Sequence, residues 1–136
     1  MEIKKKRKKK GESTLLQDKI WKLCRKYIHS KYPPICYTCY KECGKNGKNK
    51  HTGHYIPKRA LNPYLKYDPR VLRPQCYHCN MNLGGMGADY HIHLVKEMGQ
   101  DHVDGIHRDR DIVLEPNEAL EHYKKVHEWY TLELNK

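Results

Sequence analysis

The sequence predicts a small α+β domain that is stapled by zinc, flanked by helices and preceded by a disordered basic arm. Three features predict this: two Cys-x-x-Cys pairs, a short histidine-containing segment between them, and helical hydrophobic periodicity on both sides. The length of 136 residues suits one domain with appendages, and only 38% of the residues are hydrophobic, so the core should be thin. A bound metal helps such a domain to fold.

The cysteine pairs are Cys36 with Cys39 and Cys76 with Cys79. Two cysteines at this spacing can direct both thiolates at one Zn2+ from a tight knuckle turn, and two knuckles complete a tetrahedral site. The segment between the pairs, residues 40–75, is longer than the linker of an ordinary zinc ribbon. We therefore expect structural zinc to hold the ends of an inserted element that carries the function.

Two further cysteines need separate interpretations. Cys43 competes with Cys39 for the fourth ligand position, although the knuckle spacing favours Cys39. Cys24 is expected to be a small buried residue of a helix. The chain has no apolar signal region and no run of membrane-spanning length, which favours a cytoplasmic protein without a membrane partner. A reducing compartment favours metal binding over disulfides.

Positive charge is concentrated in the first three quarters of the chain. The net charge is +11, with the excess in residues 1–100, whereas residues 101–136 are net acidic. DNA or RNA is the natural partner for such a surface, because Lys and Arg that neutralise phosphates release condensed counterions. The alternative is a solvated basic surface that aids solubility. The lysine-rich start repels itself and should be disordered.

Three regions follow from these patterns. Residues 1–12 are the predicted basic arm, residues 13–110 the zinc-bound domain with its N-terminal helix, and residues 111–136 a C-terminal helix. The predicted elements are a helix from a Thr14–Gln17 capping box to Pro33, short strands at 51–57, 66–68 and 71–73, a helix from the second knuckle to Gly99 with an interruption at Gly84-Gly85, and a helix from near Pro116. The first helix is interpreted as packing rather than chemistry.

Three polar residues of the insert carry the candidate chemistry. Hydrolysis of a phosphodiester needs a base that activates water and a cation on the phosphate oxygens. His54, on a predicted strand, is the candidate base, and Asn80, on the turn into the following helix, can offer a carbonyl oxygen to Mg2+ or Mn2+. The alternative is that His51 and His54 are a further set of zinc ligands.

These motifs together resemble a known family. Cys-Tyr-Thr-Cys at 36–39, His-Thr-Gly-His-Tyr at 51–55, Gln-Cys-Tyr-His-Cys-Asn at 75–80, and Gly85 with Asp89-Tyr90 and Gly99 resemble the phage NinG (Rap) recombination proteins, which are placed among the HNH-type ββα-metal (His-Me finger) nucleases. The resemblance covers about residues 14–106. The order of motifs is also similar to that of phage endonuclease VII, a zinc-containing enzyme that cuts branched DNA.

The resemblance implies a fold, a site and an activity. It implies a ββα-metal core, with His54 as general base, Asn80 as a ligand of a catalytic Mg2+ or Mn2+, and the four knuckle cysteines on structural zinc. It also implies endonucleolytic hydrolysis of branched recombination intermediates such as Holliday junctions, in the host cell cytoplasm. A homodimer would suit two-fold symmetric cutting.

Two positions depart from the HNH pattern. Many HNH enzymes have an Asp or His metal ligand immediately before the general base, whereas this chain has Gly53. His51 or Asp89 is then the candidate replacement ligand. The middle Asn of the pattern, which braces the loop that presents the histidine, is Val71 here.

Basic residues near these motifs are the candidate DNA contacts. Lys58 and Arg59 follow the candidate base, and Lys48 and Lys50 belong to a Gly- and Asn-rich loop. Surface charge is the alternative for Lys58 and Arg59. Two other functions remain open at this stage: a non-catalytic zinc-dependent accessory protein that binds nucleic acid, and a restriction-like nuclease that cuts linear duplex.

Overall fold

The computed structural model describes residues 9–44 and 49–136, and these ranges contain four α-helices and one two-stranded antiparallel sheet. In chain order the elements are α1 (Glu12–Lys31), β1 (His51–His54), β2 (Leu72–Gln75), α2 (Gly87–Met98), α3 (Gln100–Asp109) and α4 (Pro116–Leu134). The predicted α+β class is confirmed. Most of the predicted basic arm, residues 1–8, lies outside the described residues, as does Lys48.

Helices α1 and α4 pack together and enclose much of the hydrophobic core. Ile20, Cys24 and Ile28 of α1 are fully buried, and Tyr130 of α4 packs on the same cluster. The Tyr130 hydroxyl donates to the Tyr67 carbonyl. Helix α4 therefore shares one core with the segment between the two cysteine pairs.

The start of α1 differs from the prediction. The helix begins at Glu12, with Gly11 as its N-cap, so Thr14 lies inside the helix and the expected capping box with Gln17 is wrong. The acidic side chain of Glu12 in the first turn favours this earlier start, because its negative charge interacts favourably with the positive end of the helix dipole. The side chain of Gln17 instead accepts hydrogen bonds from Lys66 and Tyr67.

Strands β1 and β2 form a hairpin between the two cysteine knuckles. His51 lies opposite Gln75, and His54 lies opposite Leu72. The predicted strand at 51–57 is too long, because the chain leaves the sheet after His54 and enters a 3₁₀ turn at Lys58–Ala60.

The connection between the strands is mostly turn. The predicted strand at 66–68 is wrong: these residues lie in a turn, and the second strand is Leu72–Gln75 rather than 71–73. Asp68 caps a 3₁₀ turn at Pro69–Val71 by accepting a hydrogen bond from the Arg70 backbone N–H at 2.9 Å. An Asp-Pro sequence supplies both the cap and the fixed φ that start such a turn.

Helix α2 follows the second knuckle after the interruption at Gly84-Gly85, and it ends as predicted at Gly99, which has a φ of 89°. Its Tyr90 is fully buried and donates a hydrogen bond to the Gly53 carbonyl at 2.9 Å. Helix α3 was not predicted, because Gly105 interrupts a pattern in which only Val103 and Ile106 are buried. Within the described residues, no helix is both long and apolar enough to cross a membrane.

Candidate functional site

The four knuckle cysteines converge on one point. Their sulfur atoms all lie within 4.8 Å of one another, and the sulfurs of Cys39 and Cys76 are 3.8 Å apart. Four thiolates about 2.3 Å from one zinc ion have sulfurs about 3.8 Å apart in a regular tetrahedron. The cluster can therefore hold a metal such as zinc. It links the segment before β1 to the turn after β2.

The environment of the cluster favours thiolate formation at Cys36. Burial opposes ionisation, but hydrogen bonds from the Thr38 hydroxyl and from backbone N–H groups of the knuckles lower the pKa of Cys36 to about 6. Further thiolates in the same buried volume would repel one another without a cation. A divalent metal removes this repulsion, because it binds the cysteines in their deprotonated form.

Cys43 packs against the cluster but is not one of the four converging sulfurs. It is 1% exposed, and burial raises its pKa to about 11. The fourth position is thus occupied by Cys39, as the knuckle spacing predicted. Cys24 is also buried, as expected, in the core between α1 and α4.

Next to the cluster, His51 and Asn80 face each other. Asn80 directly follows the last knuckle cysteine, within a π-helical turn at His78–Asn82. Its amide donates a hydrogen bond to Nδ1 of His51 at 3.1 Å. Both residues line a cavity of about 320 Å³ together with Thr52. Asp89, the other candidate ligand, does not line this cavity.

His54 lies on the same strand but opens onto a second cavity of about 100 Å³. Its ring stacks on the indole of Trp21 at 5.5 Å and 10° between planes. Burial, with the charge of Lys58, lowers the pKa of His54 to about 4, although a hydrogen bond with the Lys66 backbone opposes this shift. The imidazole is therefore neutral near neutral pH, which is the state that can accept a proton.

The structure explains the glycine at position 53. A Cβ atom there would lie 1.7 Å from Oε1 of Gln75, whose side chain is fully buried. The amide of Gln75 donates to the Thr38 hydroxyl at 3.1 Å and to the Gly85 carbonyl at 2.8 Å. Gln75 thus occupies the space of a side chain at position 53, and it ties the hairpin to the segments on either side of it.

Position 71 also has a structural explanation. Val71 is fully buried in the core, so it cannot brace the hairpin as a polar side chain would. Its carbonyl accepts a hydrogen bond from the Tyr55 backbone N–H at 2.8 Å, and Tyr90 holds the Gly53 carbonyl from α2. Backbone groups and a buried tyrosine therefore hold the segment around His54.

Sequence reasoning missed the contribution of α1. One row of this helix faces the hairpin: Gln17 contacts Lys66, Trp21 stacks on His54, Arg25 lines the cavity with His51 and Asn80, and His29 shares a 2.9 Å hydrogen bond with Thr52. These four residues recur every fourth position, so they lie on one face of the helix. In the sequence, this row of polar and aromatic residues beside the apolar face of α1 was the feature that could have indicated a role of the helix at the site.

The cations around the two cavities have no acidic partners. In the described ranges, no ion pair involves Arg25, Lys50, Lys58 or Lys66, although all four line one of the two cavities. Elsewhere buried or half-buried arginines are paired: Arg70 with Asp68 and Asp109, and Arg73 with Glu97. The unmatched positive charge is therefore concentrated at the histidines.

The predicted DNA contacts are distributed unevenly about this region. Lys58 lines the cavity of His54, and Lys50 lines that of His51. Arg59 is exposed and borders a neighbouring depression with Lys58 and Lys66.

In the described part of the chain, the fold and the cysteine cluster define a small α+β protein with a candidate metal centre. The family described as "Bacteriophage Lambda NinG protein" matches residues 1–136, so the chain belongs to the NinG family.

Curated relatives support this assignment over part of the chain. The proteins named "Protein ninG" of Enterobacteria phage H19B, Escherichia phage 933W and Enterobacteria phage VT2-Sa are each 37% identical to it over 54 residues. The match covers 40% of this chain and 26% of each relative. No solved structure matches the chain.

Proposed function

We propose that this protein is a metal-dependent DNA endonuclease of the HNH type. One observation carries the proposal: a strand that ends in a neutral, stacked His54 also bears His51, which is held 3.1 Å from Asn80 beside a four-cysteine cluster. The donors for a catalytic cation and the proton acceptor thus come from one hairpin and the turn that follows it. The cysteine cluster, with structural zinc bound, would hold that turn against the hairpin.

The donor set fits a divalent ion of the catalytic type. The Asn80 amide can turn so that Oδ1 replaces Nδ2 opposite the imidazole, and the 3.1 Å spacing matches that of adjacent ligands in an octahedron, about 3 Å. Mg2+ or Mn2+ bound there would stabilise negative charge on the phosphate oxygens. His51 and Asn80 are the residues that would hold it, with Gly53 offering no side chain.

His54 supplies the second half of the chemistry. A water molecule within hydrogen-bond reach of a neutral imidazole can transfer its proton to nitrogen as it attacks phosphorus. The bond from phosphorus to the leaving deoxyribose oxygen breaks in the same substitution, and that oxygen takes up a proton from solvent. Stacking on Trp21 limits the rotation of the ring, so the orientation of the acceptor nitrogen is set before DNA binds. Burial is the largest cause that keeps His54 neutral, and the charge of Lys58 adds to it.

The substrate proposed is DNA, in particular branched recombination intermediates such as Holliday junctions. The unmatched cations around both cavities favour a polyanion. The preference for a branch rests on the resemblance to NinG and endonuclease VII proteins. A homodimer would place two such sites on one junction.

The test is metal-dependent cleavage of labelled four-way junction and matched linear duplex by the zinc-loaded protein. We expect cutting with Mg2+ or Mn2+, and a loss of at least about 100-fold in His54→Ala with DNA binding retained. His102→Ala is the matched control, because His102 is an exposed histidine on α3. If no DNA form is cut with either metal, or if both variants cut equally, the proposal is wrong.

A non-catalytic accessory protein is the competing function. Its specific support is Gln75, which fills the place where many HNH enzymes carry a metal ligand. Tight binding to DNA without cleavage, by the wild type and by His54→Ala alike, would favour it. Preferential cutting of linear duplex would instead indicate the restriction-like alternative.

A further inference from the structure

The cavity beside His54 has a composition that the proposed catalytic step does not require. It is lined by His54, Lys58 and Lys66, its walls come from Trp21 and Gln17 of α1 and from Tyr67, and Asp18 of α1 also lines it. Burial is the main cause of the lowered pKa of His54, so proton acceptance does not depend chiefly on either lysine. A cavity with two ammonium groups and a neutral imidazole is suited to an anion.

Lys66 is held in position toward this cavity. Its Nζ donates to Oε1 of Gln17 at 2.7 Å and lies 5.6 Å from the centroid of the Tyr67 ring. Gln17 is itself held, because its amide donates to the Ser13 hydroxyl at 3.1 Å and Tyr67 donates to the same Oε1 at 3.1 Å. The ammonium group is therefore pre-positioned by neutral partners, so its charge remains available to a ligand.

The two lysines of this cavity repel each other. Burial and the charge of Lys58 both lower the pKa of Lys66. The one carboxylate that lines the cavity among the described residues, Asp18, is half exposed and is paired with Lys10 at 2.8 Å. An anion between the two lysines would relieve their mutual repulsion, as an opposite charge does for any close pair of like charges.

We propose that this cavity is a subsite for a backbone phosphate of the nucleic acid, held by Lys66 and Lys58. The inference depends on the proposed function only for the identity of the polyanion. Trp21 also lines the cavity of His51 and Asn80. The two cavities therefore adjoin at the indole ring, so one nucleic-acid strand can contact both.

The first test measures binding without cleavage. Zinc-loaded full-length protein is titrated into a fluorescein-labelled duplex without added Mg2+ or Mn2+, over a series of salt concentrations. Loss of one phosphate contact lowers the slope of log K against log salt by about 1, which weakens binding about fivefold at about 0.15 M salt. We expect this change for Lys66→Gln, and near wild-type binding for Lys66→Arg.

Lys125→Gln is the matched control, because Lys125 is exposed on the acidic helix α4 and has no ion pair in the described part of the chain. If Lys66→Gln and Lys125→Gln weaken binding equally, the subsite is wrong. The result is separate from the nuclease test. If Lys66→Gln weakens binding but the wild type cuts no DNA, the phosphate subsite stands and the nuclease proposal fails. If the wild type cuts DNA but Lys66→Gln binds normally, the nuclease proposal stands and the subsite fails.

A second measurement addresses the cavity directly in the wild-type protein. Inorganic phosphate is titrated while the ring resonances of His54 are followed by NMR. We expect a saturable shift that Lys66→Gln abolishes and Lys125→Gln keeps. The absence of a saturable shift in the wild type would overturn the proposal, whatever the folding of the variants.

Discussion

At the scale of single residues, the packing of Gln75 requires a glycine at position 53. Its missing side chain leaves room for the buried amide of Gln75, which bonds to Thr38 and Gly85. Oε1 of Gln75 has no hydrogen-bond partner among the described residues, and it points at the space over Gly53. Gln75 thus braces the hairpin against Thr38 in the first cysteine knuckle and against Gly85 in the turn before α2.

Gly53→Ala should therefore destabilise the fold by about 1–3 kcal/mol, because the new methyl group displaces Gln75 from its two hydrogen bonds. In a Gln75→Ala background the same substitution should cost at least about 1 kcal/mol less, since the clash is gone. Urea denaturation of the four proteins of this cycle measures both effects. Additive costs would show that Gly53 and Gln75 do not compete for space.

At the scale of secondary structure elements, Arg73 connects β2 to its surroundings. Its side chain is 2% exposed, donates to Glu97 of α2 at 2.9 and 3.2 Å, and donates to the carbonyls of Pro69 and Leu72. The guanidinium also lies over the ring of Tyr32, 4.7 Å from its centroid. One cation thus joins the sheet, α2 and the segment after α1.

Arg73→Leu should lower the free energy of unfolding by about 2–4 kcal/mol, because buried carbonyls and Glu97 lose their donor. Arg70→Leu is the matched comparison: Arg70 also pairs with acids, but its side chain is 36% exposed, so we expect a cost of about 1 kcal/mol. Chemical denaturation compares the two variants. If both variants lose the same free energy of unfolding, burial is not the reason that Arg73 stabilises the fold.

The same scale explains the role of α1. Its apolar face packs on α4, and the adjacent row that begins at Gln17 faces the hairpin. One helix therefore joins the hydrophobic core to the candidate site.

At the scale of the whole molecule, stability is divided between two clusters. A hydrophobic core lies among α1, α4 and the helices near them, while the knuckle cysteines form a separate cluster at the other end of the hairpin. The hairpin has only four residues in each strand. Such a short two-stranded sheet is at best marginal alone, so the metal centre should decide whether the site is ordered.

Removal of the metal should unfold the hairpin region. Binding of a structural zinc ion is worth about 10–16 kcal/mol, comparable with the whole stability of a domain, about 5–15 kcal/mol. We expect Cys79→Ser to lose metal and a large part of the ordered structure, as judged by metal analysis and circular dichroism. Cys43→Ser is the control and should keep the metal, because Cys43 lies outside the converging set. Equal metal loss in both variants would show that the ligand set is different.

The sequence alone determined the local features of this protein. The spacing inside each cysteine pair predicted the knuckle turns, the apolar periodicity predicted α1 and α4, and Gly99 predicted the end of α2, because each depends on neighbours a few residues away. Only the tertiary structure decided that Trp21 stacks on His54, that Gln75 fills the space over Gly53, and that Lys66 faces the cavity of the candidate base. These contacts join segments that are distant in sequence, and local spacing carries no information about which distant side chains share a volume.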